Sequence, residues 1–497
     1  MSVEGKRACV IGAGFGGLAL AIRLQAAGVA VTLVEARDKP GGCAYVWQRD
    51  GFTFDAGPTA ICDPAALREL WALTGHDMAA DVELMPVTPL RRLSWPDGTS
   101  FNWTNDPAAL RREIARLDPG DIAGYDAFLA YAESAWREGY VRMATEPFLG
   151  PSSAARAAPA LLKLQAWRGV DAIVGKFIRD DKLRQALGFL TLAIGGNPMS
   201  ASAVFALIHT LEQRGGVWWA RGGMNRLVAA LVRQFERLGG EVRLHDPIVH
   251  ISATGNRATE VETRSGWRAP FEAFASNADL VHTYRDLLRG SRRGETMARR
   301  LKKKRFGPSV FAVHFGVEGH WPGIPHHTVL FGPRYEGFLG DVFENGVLPG
   351  DFPIYLHHPT VTDPSMAPEG MSAFTAYVPV AHRGKLAVDW EQVGQLLETS
   401  VLDEVGRRLI PDIHDRIVTK FHYAPRDFAL DLSAHLGSAF GLEPVPSQLG
   451  WLRPHNRDDV ISNLYLVGAG THPGPGIPGV VAGAKVTAEL MIKDLSR

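Results

Sequence analysis

The sequence predicts an α/β fold: a discontinuous Rossmann-like, dinucleotide-binding domain, plus a substrate domain with a mixed or antiparallel sheet and a helical, membrane-facing segment. Three observations carry this. Residues 7–35 read as strand, Gly-rich turn, helix and strand. The C-terminus returns to the same pattern, with a strand at Leu464–Val467, a Gly/Pro-rich loop at 468–479 and a helix from Val480. The 497 residues also exceed what one core usually organises, about 250–300. A dinucleotide unit that opens the chain and resumes at its end implies an interrupted domain. We expect it over 1–75, 216–285 and 445–497, the substrate domain over 76–145 and 286–444, and the helical segment over 146–215.

The elements follow in order. Residues 7–12 are nearly all apolar, as a buried strand of a parallel sheet should be. Leu18 to Ala27 is Ala/Leu-rich and ends at Gly28, and Val29 to Glu35 is a second strand. Short strands are expected near Glu83–Pro86 and Leu93–Trp95, and mostly helix over 151–215. Gly223 to Gly239 reads as helix, and Glu241 to Ile251 as strand with a turn. Strands of a second sheet are expected at 308–316 and 352–358, and a long amphipathic helix at 389–410.

Lys plus Arg and Asp plus Glu are both 53, so the chain lacks the basic excess that phosphate backbones demand, and nucleic acid is not an expected partner. Three cysteines form no C-x-x-C pair and no disulfide framework, which suits a reducing cytoplasm. Glu4, Lys6 and Arg7 lead straight into the first strand, unlike a signal peptide. No run of about 18 apolar residues suggests a membrane span.

The chemistry concentrates in Gly12-Ala13-Gly14-Phe15-Gly16-Gly17. Gly12 permits the tight turn, Gly14 a close backbone approach to a pyrophosphate, and Gly17 close helix–sheet packing. The helix N-terminus offers free N–H groups to phosphate. Glu35 stands where a ribose-binding carboxylate belongs. Ala36 and Arg37 follow, then Gly41-Gly42-Cys43, where glycines again allow backbone approach. This Glu-x-x-x-x-x-Gly-Gly continuation resembles the FAD-binding start of amine oxidase-like flavoproteins.

The whole chain resembles the bacterial-type phytoene (carotenoid) desaturases, FAD-dependent members of that superfamily. The resemblance is carried by 10–19, Phe54-Asp55-Ala56-Gly57-Pro58-Thr59, Gly195-Gly196-Asn197-Pro198, Gly216-Val217-Trp218, Ser276-Asn277-Ala278-Asp279, Arg453-Pro454-His455-Asn456 and 463–480. It implies FAD contacts at Gly12, Gly14, Phe15, Gly16, Gly17, Glu35, Ala36, Arg37, Gly41, Gly42, Cys43, Gly57, Pro58 and Thr59. It implies others at Val249 and at Gly468, Ala469, Gly470, Gly476, Ile477, Pro478 and Gly479. It also implies an apolar polyene substrate drawn from the bilayer, hydride transfer to flavin with proton loss, and reoxidation by quinone or oxygen. The protein is then expected in the cytoplasm, peripheral on the inner face of the cell membrane. No catalytic acid or base is assigned.

Several motif positions depart from the family pattern. Cys43 stands for a usual Arg, Arg91 and Asp171 for aromatic residues, Glu146 for an apolar residue, and Leu190 for His. Ala60 and Cys62 replace Val and Thr, Pro475 replaces Ala, and Ala482-Gly483 replaces Gly-Ser. Two other readings therefore stand beside the desaturase: a paralogous flavin oxidase or isomerase on another carotenoid, lipid or small molecule, and a non-catalytic flavin- or carotenoid-binding protein.

Residues 159–179 mix Leu161, Leu162, Leu164, Trp167, Val170, Ile173, Val174 and Phe177 with Lys163, Arg168 and Lys176, as in a helix lying in a membrane interface. Residues 299–305 hold six positive charges in seven, suited to anionic lipid. His326-His327 and His357-His358 attract a metal assignment. Neighbours along a strand point to opposite faces, so no metal is expected.

Overall fold

The computed structural model of the protein describes residues 3–497. Strand Arg7–Ile11 lies at the centre of a five-stranded parallel sheet, ordered Leu464–Leu466, Ala273–Ser276, Arg7–Ile11, Ala30–Val34, Glu241–Arg243. Its side chains alternate between two cores. Ala8 and Val10 join the cluster on one face, and Cys9 and Ile11 the cluster on the other. Burial on both faces explains the unbroken apolar run in the sequence.

Helix Phe15–Ala26 is buried all round from Phe15 to Leu24. It packs between helices Met224–Arg237 and Ile477–Leu495, so the two ends of the chain share one core. Helix Met224–Arg237 buries a single stripe, Met224, Leu227, Val228, Leu231 and Phe235, at the spacing of a one-sided helix.

A second, seven-stranded sheet runs Ile417–Tyr423, Ser309–Glu318, Met371–Val380, Ile354–His357, His327–Leu330, Arg91–Ser94, Ser100–Trp103. All neighbours are antiparallel except His327–Leu330 with Arg91–Ser94, so the sheet is mixed. Phe311, Val313, Phe315 and Val317 alternate onto the face covered by helix Trp390–Arg408, which buries Trp390, Leu397, Val401, Leu402 and Val405. Helices Pro107–Leu117 and Ile122–Ala135 put Leu110, Ile114, Tyr125 and Phe128 into one cluster with Leu93, Phe101, Trp103 and Val329 of this sheet.

Three elements differ from the sequence expectation. Residues 159–179 are not one helix: Pro151–Lys163 ends at a turn with Gln165 at φ +50°, and Val170–Val174 is separate. Gly169 is pressed so close to the Met199 carbonyl that a Cβ would lie 2.2 Å from it, so tertiary packing fixes the break. Residues 241–251 split into strands of two different sheets, Glu241–Arg243 and Ile248–Thr254, at His245, where φ is +57°. The last helix starts at Ile477 rather than Val480, because Pro478 fits a first turn that needs no N–H partner. Among the described residues no helix is long and apolar enough to cross a membrane.

Candidate functional site

In open parallel sheets, ligands bind where the strand order reverses. That point lies here at the C-terminal end of Arg7–Ile11, between Ala30–Val34 and Ala273–Ser276. Gly12, at φ +94°, makes the turn and donates to the Val34 carbonyl at 2.7 Å. Gly14 is the helix N-cap and offers no side chain, so the first-turn N–H groups of Phe15, Gly16 and Gly17 point out of the helix unpaired. A Cβ on Gly17 would lie 2.0 Å from the Gly12 carbonyl oxygen.

Two further segments fold onto this turn. Gly41 donates to the Ala13 carbonyl at 2.9 Å, and a Cβ on Gly42 would lie 3.3 Å from Gly14 Cα. Glu35 is buried at the strand end and accepts from the N–H of Ala13 at 2.7 Å and of Arg37 at 2.9 Å. Asn277 fills the space beside Gly14 and Gly16, whose Cβ atoms would come within 3.0 and 2.7 Å of its side chain.

The C-terminal loop is pinned from behind. Arg453, 1% exposed, donates to the carbonyls of Thr471 at 2.9 Å and Ala469 at 2.6 Å. Burial lowers its pKa to about 10. Asn456 donates to the His472 carbonyl at 3.0 Å and to the Thr487 hydroxyl at 3.1 Å.

These parts open into one cavity of about 1010 Å³. It is lined at one part by Gly14, Phe15, Gly16, Gly41, Gly42, Cys43, Gly57, Pro58 and Thr59, and by Gly468, Ala469, Gly470, Gly476, Ile477, Pro478 and Gly479. It continues between apolar walls that include Phe189, Leu190, Ile208 and Leu211. Its rim carries exposed apolar side chains: Leu162 (62%), Trp167 (58%), Trp451 (41%) and Leu452 (50%). Of the sequence-predicted site residues, Gly12, Gly17, Glu35, Ala36, Arg37 and Val249 are not in its wall. Gly12 and Gly17 shape the turn from below, and Val249 lies in the separate antiparallel sheet of Ile248–Thr254.

A family profile described as flavin containing amine oxidoreductase matches residues 15–492. The chain is 52% identical to a phytoene desaturase (lycopene-forming) of a Paracoccus species, covering 100% of this chain and 99% of the relative. The chain belongs to this flavoprotein family, in its carotenoid desaturase branch. A lycopene-forming phytoene desaturase of Pantoea ananas is 49% identical over 99% of this chain and 100% of its own, and a neurosporene-forming one of Cereibacter sphaeroides is 38% identical over 98% and 95%. Two solved structures share the fold: putrescine oxidase bound to putrescine (TM-score 0.65, 17% identity, 98% and 99% covered) and cyclohexylamine oxidase from Brevibacterium oxydans (TM-score 0.62, 17%, 99% and 100%).

The residues fit the FAD of this oxidoreductase family. Gly14, Gly16, Gly41 and Gly42 present bare backbone to the cavity at a helix N-terminus, a surface that suits phosphate, and Glu35 retains acceptor lone pairs beside the turn.

The family's unusual positions now have surroundings. Arg91, 5% exposed, donates from Nη2 to Glu212 Oε1, and Glu212 is 3% exposed. Asp171 pairs with Arg184 at 3.1 Å, and Glu146 stands 3.9 Å from Arg156. Leu190 and Pro475 are part of the cavity wall. Cys43 opens onto the cavity but is hemmed by protein, which raises its thiol pKa against the nearby Arg37 cation. The sequence singled out neither Glu212, whose partner Arg91 is 121 residues away, nor the pinning role of Arg453.

The histidine pairs behave differently from the expectation. His327 and His357 face each other across paired strands, and His326 precedes its strand, so strand alternation does not separate them. The ring nitrogens of His326, His327 and His357 lie within 4.8 Å of one another. His326 and His357 Nε2 are 3.2 Å apart, and Trp219 packs on both rings. Burial holds all three neutral, with His327 lowered to about 3.

Proposed function

We propose that this protein desaturates a carotenoid such as phytoene. The observation that carries the proposal is the single cavity, which joins a glycine cradle to a long apolar enclosure with an exposed apolar rim. FAD, when bound, supplies the two-electron acceptor for a reaction that removes a hydride and a proton from adjacent carbons. The chain supplies the rest. Gly14 to Gly16, Gly41, Gly42 and Cys43 would hold the phosphates with backbone groups, on the turn that Gly12 and Gly17 shape, and Glu35 would hold the ribose. The loop at 468–479, stiffened by Arg453 and Asn456, presents rigid backbone to the ring. Phe189, Leu190, Ile208 and Leu211 align an extended polyene and exclude water. Residues 1–75, 216–285 and 445–497 act as the cofactor domain, and 76–145 with 286–444 as the substrate domain.

The rim docks on the inner face of the cell membrane. Leu162, Trp167, Trp451 and Leu452 enter the interface, and Lys304, which donates to the Leu452 carbonyl at 3.3 Å, brings the basic run of 299–305 beside them. Each such charge near an anionic surface contributes ~1 kcal/mol. A membrane quinone or oxygen takes up the electrons.

The test is expression in phytoene-accumulating bacteria beside an empty vector. Longer-wavelength carotenoids are expected. Unchanged phytoene with flavin-loaded protein present would refute the proposal.

A further inference from the structure

We propose that His326, His327 and His357 form a three-histidine site for a first-row divalent transition-metal ion of the zinc class, set in the seven-stranded sheet. The site is independent of the desaturase reading, since none of the three residues lines the flavin cavity.

The fold brings the three rings together from two strands. His327 opens the strand His327–Leu330 and lies in register with His357, the last residue of Ile354–His357. His326 stands just before its strand, and its ring centroid lies 4.6 Å from that of His327 and 4.9 Å from that of His357. All three residues are at most 3% exposed.

The outer contacts of the rings leave nitrogens for the centre. His327 Nδ1 lies 3.1 Å from the Leu90 carbonyl. A carbonyl only accepts, so Nδ1 carries the proton and the lone pair stays on Nε2. That Nε2 is buried with no hydrogen-bond partner. His326 Nδ1 meets the Thr362 hydroxyl at 2.7 Å, and its Nε2 faces His357 Nε2 at 3.2 Å. One ring nitrogen held by a carbonyl or hydroxyl, with the other left free, is how proteins orient a metal-bound imidazole. A hydrogen bond between His326 and His357 satisfies those two and leaves His327 Nε2 unmet. One ion satisfies all three.

The spacing suits such an ion. Tetrahedral zinc–imidazole bonds of about 2.0–2.1 Å place neighbouring nitrogens about 3.3 Å apart. The His326–His357 pair stands close to that edge. No two of the three ligand atoms are more than 4.8 Å apart, so a turn of the His327 ring completes the set. The crowding that shuts these nitrogens off from solvent is the crowding of a ligand set: the ion sits nearer to them than a hydrogen-bonded water does. A water or hydroxide entering with the ion takes the fourth position. Nitrogen ligands pass over magnesium and calcium, which take oxygen. Behind the site lies the buried carboxylate of Asp363, which accepts from Trp219 Nε1 at 3.4 Å, and Trp219 packs on His326 and His357. The nearby Arg91 cation is met by Glu212. Tyr355 of the cavity wall stacks on His327 at 5.4 Å, so an ion here also steadies that wall.

The experiment uses tag-free, FAD-loaded full chain from cells grown with added zinc, dialysed against metal-free buffer. Plasma mass spectrometry is expected to find about one zinc ion per chain, and zinc-edge X-ray absorption three imidazole nitrogens at about 2.0–2.1 Å. His327→Gln and His357→Gln should each lower the bound zinc to less than about a tenth while the protein keeps its flavin. Thr362→Val removes only the hydroxyl beside His326 and serves if the histidine variants fail to fold; it should weaken zinc about tenfold in competition with a chelator. Wild-type protein that holds no zinc after incubation with the ion overturns the site. So does zinc that survives in the histidine variants, binds Thr362→Val as tightly as wild type, or shows an oxygen-dominated shell, each of which means an adventitious ion only. None of these outcomes bears on desaturation.

Discussion

Desolvation pushes the Asp55 carboxyl up to about 7, against the opposing N–H groups of Met224 and Asn225. The folded protein therefore holds a proton that the unfolded chain releases near pH 4. Stability from this group is complete at low pH and is lost as pH rises towards 7, by up to about 4 kcal/mol. Asp55→Asn keeps an oxygen for Met224 N–H, so thermal melts of the variant should lose this decline between pH 5 and 7. An unchanged slope would show that Asp55 ionises freely. Cys43 yields a second expectation. It opens onto the cavity beside the glycine cradle, where a guanidinium can reach phosphate. Cys43→Arg should tighten FAD retention about tenfold in a dialysis assay, the scale of one charge-assisted hydrogen bond. Glycines were legible at this scale because each answers a local backbone demand. Asn277 and Arg453 stand in stretches that carry the resemblance, but their roles were not legible: the Gly12 contact of Asn277 spans 265 residues and nothing local marks it.

The helix Phe15–Ala26 depends on a contact at its first turn. Gly17→Ala would force a Cβ against the Gly12 carbonyl, 2.0 Å away, so the turn must move. Purified Gly17→Ala protein should lose its yellow colour and melt several degrees lower, matching a few kcal/mol of strain and lost cofactor. Wild-type colour would exclude the tight turn. The rim makes its own prediction. Leu162→Glu with Trp167→Glu should cut co-sedimentation with anionic liposomes severalfold while leaving the fold intact, because both side chains are exposed. Several strands and helices were readable from apolar runs, composition and period, but the helices Pro64–Ala72, Pro107–Leu117 and Ile122–Ala135 were not. The break at 164–169 was not, because no glycine or proline marks Gln165, and the packing of Gly169 on Met199 arises from another segment.

At the scale of the molecule, the late return of strand, loop and helix foretold that both ends of the chain share one core, and the helices Phe15–Ala26 and Ile477–Leu495 do pack together. The mixed second sheet was expected, but not its order. Arg91–Ser94 pairs in parallel with His327–Leu330, a partner over two hundred residues away that no local pattern identifies. Arg91 on that strand is in direct contact with Glu212 of the helix Leu207–Gly215. The central claim is that cofactor and polyene meet in this one cavity. Anaerobic mixing of FAD-loaded protein with phytoene in liposomes tests it most directly. The account predicts bleaching of the oxidised-flavin absorbance in step with new conjugated-polyene bands. Flavin that stays oxidised while phytoene is bound would contradict it.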